Sequence, residues 1–333
     1  TNFSMSVQQE NIKSSEEIYK KISKFVPDVE WKIHQPLIEK INKLKKEKNA
    51  IILAHNYQTP EIYHGVADIA ADSLALAVEA SKTTADKIIM CGVHFMAETA
   101  KLMSPNKKVF LPDMKAGCSL STSITGEDVR MLKQKYPGVP VVSYVNTSAD
   151  VKAETDVCCT SANAVKVVES LNVDRVIFLP DQYLADYVSK NTKVKIISWK
   201  GTCIVHEQFS AKEIEDIKKQ NPGIKVIAHP ECPPDVIKAS DFTGSTSGMI
   251  NYVKDKQPKK VMLVTECSMS DNVEADNPNV SFIKPCNLCP YMKKIDLKKI
   301  LDCLENETNE ILLDDKTIEA ARKSVIRMTE IGR

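Results

Sequence analysis

Three short apolar runs in this chain each lead into a loop that carries a cysteine, and the three loops are evenly spaced. Lys195-Ile196-Ile197-Ser198-Trp199 leads into Lys200-Gly201-Thr202-Cys203-Ile204-Val205-His206. Val109-Phe110-Leu111 leads to Ala116-Gly117-Cys118, and Ser281-Phe282-Ile283 leads to Pro285-Cys286-Asn287-Leu288-Cys289. Cys118 and Cys203 stand 85 residues apart, and Cys203 and Cys289 stand 86 apart. That spacing predicts an internal threefold repeat delivering one thiolate per unit to a common point. A chain of 333 residues exceeds one ordinary core and accommodates two or three domains of roughly 100 residues each.

The rest of the chain repeats one rhythm. Gln35 to Lys48 carries Leu37, Ile38, Ile41 and Leu44 at helical spacing, which predicts an amphipathic helix, with Pro27 stopping the polar segment before it. Ala50 to Ala54 is a short continuous apolar run, as in a strand buried on both faces of a parallel sheet. Helix is expected over Ile62–Lys82, strand over Lys87–Cys91, helix through Met103, and strand over Val109–Leu111. Further strands are expected at Val139–Tyr144, Val157–Ser161, Arg175–Leu179, Val194–Ser198, Lys225–Ala228, Lys260–Thr265 and Val280–Ile283, with helices between them. Leu297 to Arg333 reads as charged helix. Alternating short strands and helices mean an α/β fold with parallel sheets, and units this regular fit three small three-layer domains.

Composition excludes several classes. Hydrophobic residues at 43% and charged residues at 27% are those of a soluble globular protein. A net charge of +1 supplies no field for nucleic acid or an anionic membrane. No apolar run approaches the roughly 20 residues of a membrane span. Thr1 to Lys21 lacks the apolar core of a signal peptide. Ten cysteines without such a signal point to a reducing, cytoplasmic setting.

In open parallel sheets, ligands collect at the carboxyl ends of strands. Those ends carry His55, Asn56 and Tyr57; Cys118; Tyr144 and Asn146; Thr160 and Ser161; Cys203 and His206; His229 and Glu231; Ser245 and Thr246; and Cys289. Donors, acid–base groups and thiols dominate, and the Gly-rich loop of a dinucleotide or triphosphate site is absent. If three domains face one axis, a central site receives all of these groups and suits a small polyanion and a metal centre. His229 and Glu231 flank Pro230, which favours an extended backbone, so both should face one cavity.

Each candidate competes with a plainer role. A lone cysteine is more often a small buried hydrophobe than a ligand, and Cys91, Cys158, Cys232, Cys267 and Cys303 take that role. His34, His64 and His94 are read as structural or exposed. Cys286-Asn287-Leu288-Cys289 is a CxxC with no second copy, which argues against a closed structural zinc site. Either thiol of the pair could serve as the third ligand; the following Pro290-Tyr291-Met292 favours Cys289. Three thiolates are one short of the usual four on an iron–sulfur cluster and leave one position for substrate. The physical reading is a hydro-lyase or condensing enzyme with a 4Fe–4S cluster. An iron–sulfur carrier or sensor untouched by substrate is the alternative, disfavoured by the acid–base groups. A zinc-dependent aldolase-like enzyme is weaker still.

The motifs Ala54-His55-Asn56-Tyr57-Gln58, Gly92-Val93-His94-Phe95-Met96-Ala97-Glu98-Thr99-Ala100-Lys101, Ala116-Gly117-Cys118-Ser119-Leu120, Tyr144-Val145-Asn146-Thr147-Ser148-Ala149, Thr160-Ser161-Ala162-Asn163-Ala164, Gly201-Thr202-Cys203-Ile204-Val205-His206, His229-Pro230-Glu231-Cys232 and Gly244-Ser245-Thr246-Ser247-Gly248-Met249 resemble the quinolinate synthase family, the A protein of de novo NAD biosynthesis. The likeness covers about residues 36–330. It implies three similar αβα domains around a pseudo-threefold axis, at 36–121, 122–206 and 207–292, after an extension over 1–35 and before a helical segment, 293–333, packed on the first domain. It implies one 4Fe–4S cluster on Cys118, Cys203 and Cys289 with an open iron acting as Lewis acid. The implied reaction condenses iminoaspartate with dihydroxyacetone phosphate to quinolinate, releasing phosphate and two waters. An aspartate oxidase or dehydrogenase would supply the imine. By the same resemblance His55 and Ser73 hold the triose phosphate or product, and Tyr57 polarises a carbonyl or hydroxyl. Tyr144 and Asn146 line the cavity, while Ser161, His229, Ser245 and Thr246 bind carboxylates and phosphate. Glu231 moves protons and His206 touches substrate. His55, Tyr57, Tyr144 and Glu231 are the implied catalytic set.

Overall fold

The computed structural model describes residues 14–285 and 287–333. Cys286, and with it the open question of its role, lies outside the described residues, as does the N-terminal extension before residue 14.

Among the described residues twelve strands form three separate sheets, each four-stranded and parallel. The first holds β1 (Ala50–His55), β2 (Ile69–Ala71), β3 (Lys87–Cys91) and β4 (Lys108–Phe110). The second holds β5 (Val141–Tyr144), β6 (Val157–Cys159), β7 (Arg175–Leu179) and β8 (Lys195–Ser198). The third holds β9 (Lys225–Ala228), β10 (Phe242–Thr243), β11 (Lys260–Val264) and β12 (Ser281–Phe282). The spatial orders are β2-β1-β3-β4, β6-β5-β7-β8 and β10-β9-β11-β12, one arrangement three times. Helices flank every sheet, so the molecule is three similar αβα units.

A side-chain bond repeats with the topology. Just before the edge strand of each unit, an aspartate accepts from a backbone N–H near the start of the unit's first strand. The pairs are Asp68 Oδ2 with Ile52 at 2.8 Å, Asp156 Oδ2 with Val141 at 2.7 Å, and Asp241 Oδ2 with Val226 at 2.8 Å. Each fixes where the edge strand begins, and with it the loop that the edge strand feeds into the centre.

The expected helix over Ile62–Lys82 is broken. The chain forms a short helix at Pro60–Tyr63, then β2, then a helix at Ser73–Lys82. Alanine and leucine favour helix locally. Here pairing decides instead: Leu53, Ala54 and His55 of β1 align in parallel with Ile69, Ala70 and Ala71. The amphipathic helix starts at Asp28, earlier than Gln35, because Pro27 caps it. Its Trp31 stacks on Tyr19, ring centroids 4.7 Å apart.

The main core runs through the first two sheets and part of the third, with satellite clusters around Ile177 and around Val226. Helix Leu297–Asn306 packs on Asp28–Glu47 and β3, and helix Asp315–Ile331 packs on Ala149–Ala153, β6 and His94–Met103. Among the described residues no helix is long and apolar enough to cross a membrane.

Candidate active site

The carboxyl ends of all three sheets converge on one cavity with about 700 Å³ of empty space. Each unit supplies three kinds of group at matching positions. The first strand ends in a pair of residues two apart: His55 and Tyr57, Tyr144 and Asn146, His229 and Glu231. The edge strand leads to a hydroxyl at or just before a helix start: Ser73, Ser161, Thr246. The fourth strand leads to a cysteine: Cys118, Cys203, Cys289. All of these residues, and His206, line the cavity. Of the strand-end residues expected there, Asn56 and Ser245 do not. Asn56 Nδ2 donates to Thr246 Oγ1 at 2.9 Å from behind the wall. The Ser245 hydroxyl accepts from the Gly248 N–H at 3.2 Å and caps helix Thr246–Lys256.

The cysteine loops lock one another. Ser119 Oγ donates to the Thr202 carbonyl at 3.0 Å and accepts from the Ile204 N–H at 3.2 Å, holding both sides of Cys203 from the residue after Cys118. Asn287 Nδ2 donates to the Val205 carbonyl at 3.3 Å, tying the third loop to the second. The Tyr291 ring lies against Gly117 and closes the circle. Cys118, Cys203 and Cys289 are half-buried. Burial pushes the Cys118 thiol up to about 12 and raises Cys203 and Cys289 as well. The free thiols are therefore protonated, and metal binding would release their protons.

Three thiols from three loops on one wall fit a cluster that leaves one iron open. No fourth cysteine lines the cavity among the described residues. Cys203, His206 and Glu231 also place a ligand atom each within 4.8 Å of one another, a tighter set suited to one ion.

The imidazoles are neutral. Burial lowers His55 to about 4 and His206 to about 3, and holds His229 well below the usual range. The Tyr57 N–H donates to His55 Nδ1 at 3.1 Å, and the Glu231 N–H donates to His229 Nδ1 at 3.2 Å. Both rings therefore carry their proton on Nε2. His229 Nε2 lies 3.3 Å from Ser161 Oγ. These histidines therefore present a neutral Nε2–H donor to the cavity.

Glu231 is almost wholly buried, and that burial, with Asp181 nearby, keeps its carboxyl protonated well above the ordinary range. The Tyr144 hydroxyl donates to Glu231 Oε2 at 3.3 Å. The Tyr57 hydroxyl lies 2.6 Å from Thr265 Oγ1 and 3.4 Å from His206 Nε2. His206 Nδ1 lies 3.1 Å from Cys203 Sγ, and its ring stacks on His229 at 4.7 Å. From Cys203, His206 thus leads to Thr265 and Tyr57 on one side and, with Nδ1 3.5 Å from Glu231 Oε1, to Glu231 and Tyr144 on the other.

Sequence reasoning missed Asp72, Thr265, Asp181 and Lys293. Asp72 and Thr265 directly follow strands β2 and β11, so the strand-end rule had a signal for them. Lys293 donates to the Tyr57 carbonyl at 2.8 Å and pairs with buried Glu266 at 3.0 Å, which only the folded chain shows.

Residues 39–330 match the family described as the quinolinate synthetase A protein, NadA. Among curated relatives, quinolinate synthase of Sinorhizobium fredii is 60% identical over 314 residues, covering 94% of this chain and 88% of that protein. The Caulobacter vibrioides quinolinate synthase is 55% identical, covering 94% and 87%. The Xylella fastidiosa quinolinate synthase is 59% identical, covering 88% and 87%.

Proposed function

This chain belongs to the quinolinate synthetase A protein family, and from that premise we propose that it is a quinolinate synthase of NAD biosynthesis. It condenses iminoaspartate with dihydroxyacetone phosphate, releases phosphate and two waters, and closes the pyridine ring. The observation that carries the proposal is the cavity, to which each unit brings one thiol, one hydroxyl from the stretch that follows its edge strand and one strand-end pair. The units in this reading are 36–121, 122–206 and 207–292. The imine would come from an aspartate oxidase or dehydrogenase, and the setting is cytoplasmic.

Cys118, Cys203 and Cys289 would hold a 4Fe–4S cluster, which when bound supplies Lewis acidity toward a substrate hydroxyl or carboxylate. The chain's own groups do the rest. Neutral imidazoles and hydroxyls at helix starts offer many donors to carboxylates and phosphate without fixing a counter-charge. His55 and Ser73 hold the phosphate-bearing substrate or the product that replaces it, while Ser161, His229 and Thr246 hold carboxylates and phosphate. Ser245 acts through its cap on the helix that presents Thr246. Tyr57, held by Thr265 and His206, donates to a carbonyl or hydroxyl oxygen. Glu231 starts protonated, gives its proton to a departing hydroxyl, and as carboxylate removes one from carbon or nitrogen. Tyr144 fixes Glu231 and, with Asn146, shapes the wall.

Glu231→Gln tests the proton-moving role. The variant keeps size and hydrogen bonding, so iron content and quinolinate binding should survive while turnover falls by roughly 100-fold or more. Near-normal turnover in a fully iron-loaded variant would sink the assignment. Saturating quinolinate should also change the cluster's spectrum. An unchanged spectrum would favour a carrier or sensor in which substrate never meets the cluster.

A further inference from the structure

One cavity group has no part in this scheme and works against it: a carboxylate. Asp72 lines the cavity beside Ser73 and is only 4% exposed. A fixed negative charge there opposes any carboxylate or phosphate that approaches the start of helix Ser73–Lys82. The fold supplies its partner from 261 residues away. Arg333 Nη1 donates to Asp72 Oδ2 and Nη2 donates to Oδ1, both at 2.8 Å, a bidentate pair. Oδ1 also accepts from the Ala75 N–H at 3.0 Å, which caps the helix.

Arg333 is itself held from behind. Lys166 Nζ donates to the Arg333 carbonyl at 2.8 Å, and Asn163 Nδ2 donates to the Gly332 carbonyl at 2.9 Å. Asn163 Oδ1 in turn accepts from the Thr160 N–H at 2.9 Å, one residue before Ser161. A polar chain therefore runs from Ser73 through Asp72, Arg333, Gly332 and Asn163 to Ser161, linking the hydroxyls of two units behind the cavity wall.

We propose that Arg333 is a positioning residue of the anion site: it balances the Asp72 carboxylate so that Ser73 and its helix start receive a carboxylate- or phosphate-bearing ligand without an opposing charge. The inference rests on the proposed reading of the cavity as an anion site. A simple latch between units would need the same contacts, so the test must separate charge balance from tethering. Asp72→Asn does so, because asparagine caps a helix about as well as aspartate and carries no charge.

The experiment measures quinolinate affinity of the iron-loaded full chain by calorimetry, with iron and sulfide content determined for each variant. Arg333→Met should weaken binding by roughly 10- to 100-fold, the range an unbalanced carboxylate near a bound anion produces, with iron content unchanged. Arg333→Lys, which keeps the charge but loses the fork, should lose less. Adding Asp72→Asn to Arg333→Met should restore affinity to within about threefold of the unaltered protein. Unaltered affinity in Arg333→Met overturns the proposal. So does a double variant that binds as weakly as Arg333→Met alone, the behaviour of a broken latch. If the unaltered protein does not bind quinolinate, the anion-site reading falls first and this inference with it.

Discussion

Replacing Asp181 by Asn should stabilise the protein, and more so as pH rises. Asp181 follows β7, is 0% exposed, and caps helix Gln182–Lys190. Its Oδ1 accepts from the N–H groups of Tyr183 at 2.9 Å and Leu184 at 3.1 Å, while Oδ2 has no partner among the described residues. Burial outweighs the two capping bonds and pushes the carboxyl from 3.8 up to about 7. A carboxyl whose folded value is raised contributes its stability below the unfolded value and loses it as pH rises toward the folded one. At about 1.4 kcal/mol per unit, full ionisation costs roughly 4 kcal/mol. Asparagine keeps the cap but buries an amide donor, at a cost of about 1–3 kcal/mol. The net gain at pH 8 is thus roughly 1–3 kcal/mol. Between pH 5 and pH 8 the advantage should grow by roughly 2–3 kcal/mol, a figure from which the amide cost cancels. Urea unfolding of both proteins at the two pH values measures it. A difference that is the same at pH 5 and pH 8 would refute the argument, because titration of Asp181, and of Glu231 whose carboxyl its charge pushes up, is what makes it change.

Three further outcomes follow from the same geometry. Cys118→Ser, Cys203→Ser and Cys289→Ser should each abolish iron and sulfide binding, whereas Cys91→Ser and Cys303→Ser should leave both intact; cluster retention in Cys203→Ser would overturn the ligand set. Gly201→Ala puts a methyl against the Pro180 carbonyl and 2.8 Å from Ser123 Oγ, so the Cys203 loop must shift and iron content should drop; full loading would show that the loop gives way freely. Lys152 is wholly buried, and its Nζ donates to the Val145 carbonyl at 2.7 Å and to the Thr147 carbonyl, on either side of Asn146. Lys152→Met strands those carbonyls, should cost about 1–3 kcal/mol net of the charge it removes, and should weaken quinolinate binding, read by melting and titration.

The repeat was legible because its signals are local. Buried parallel strands read as short Ile/Val runs, so β3, β7 and β9 match expectation at both ends. Cysteine spacing and strand-end position picked out most of the polar side chains on the cavity wall, but not its apolar lining of Val93, Phe95, Met96, Ile204, Val205 and Met292. What escaped depends on partners distant in sequence. β2 is three residues of ordinary helix-forming character that become a strand only by lying beside β1. Asp72 looks like any helix cap until Arg333 reaches it. Ser245 and Thr246 are adjacent hydroxyls, and only the backbone decides that one caps while the other faces the cavity. The neutral state of the three histidines follows from burial, which no residue pattern reports.

The repetition also explains how one site can be symmetric toward a metal and asymmetric toward substrate. The position after the fourth strand holds cysteine in all three units, so the thiol wall is made of like groups. The position after the first strand holds His-x-Tyr, Tyr-x-Asn and His-x-Glu. In the first and third units the backbone N–H two residues on bonds to the histidine Nδ1, at 3.1 and 3.2 Å, and so sets both rings as Nε2 donors. The second unit places Tyr144 at that point, a weak acid raised by burial, and turns it onto Glu231 of the third unit. Acid–base chemistry therefore concentrates on the side where the second and third units meet, and His55 with Ser73 stands on the first. The condensation proposed above, which joins two unlike molecules, would need that division, since three identical strand ends would bind either partner in three equivalent ways. The strand-end side chains differ from unit to unit, while the aspartate bonds and the strand order that hold each unit together are the same in all three.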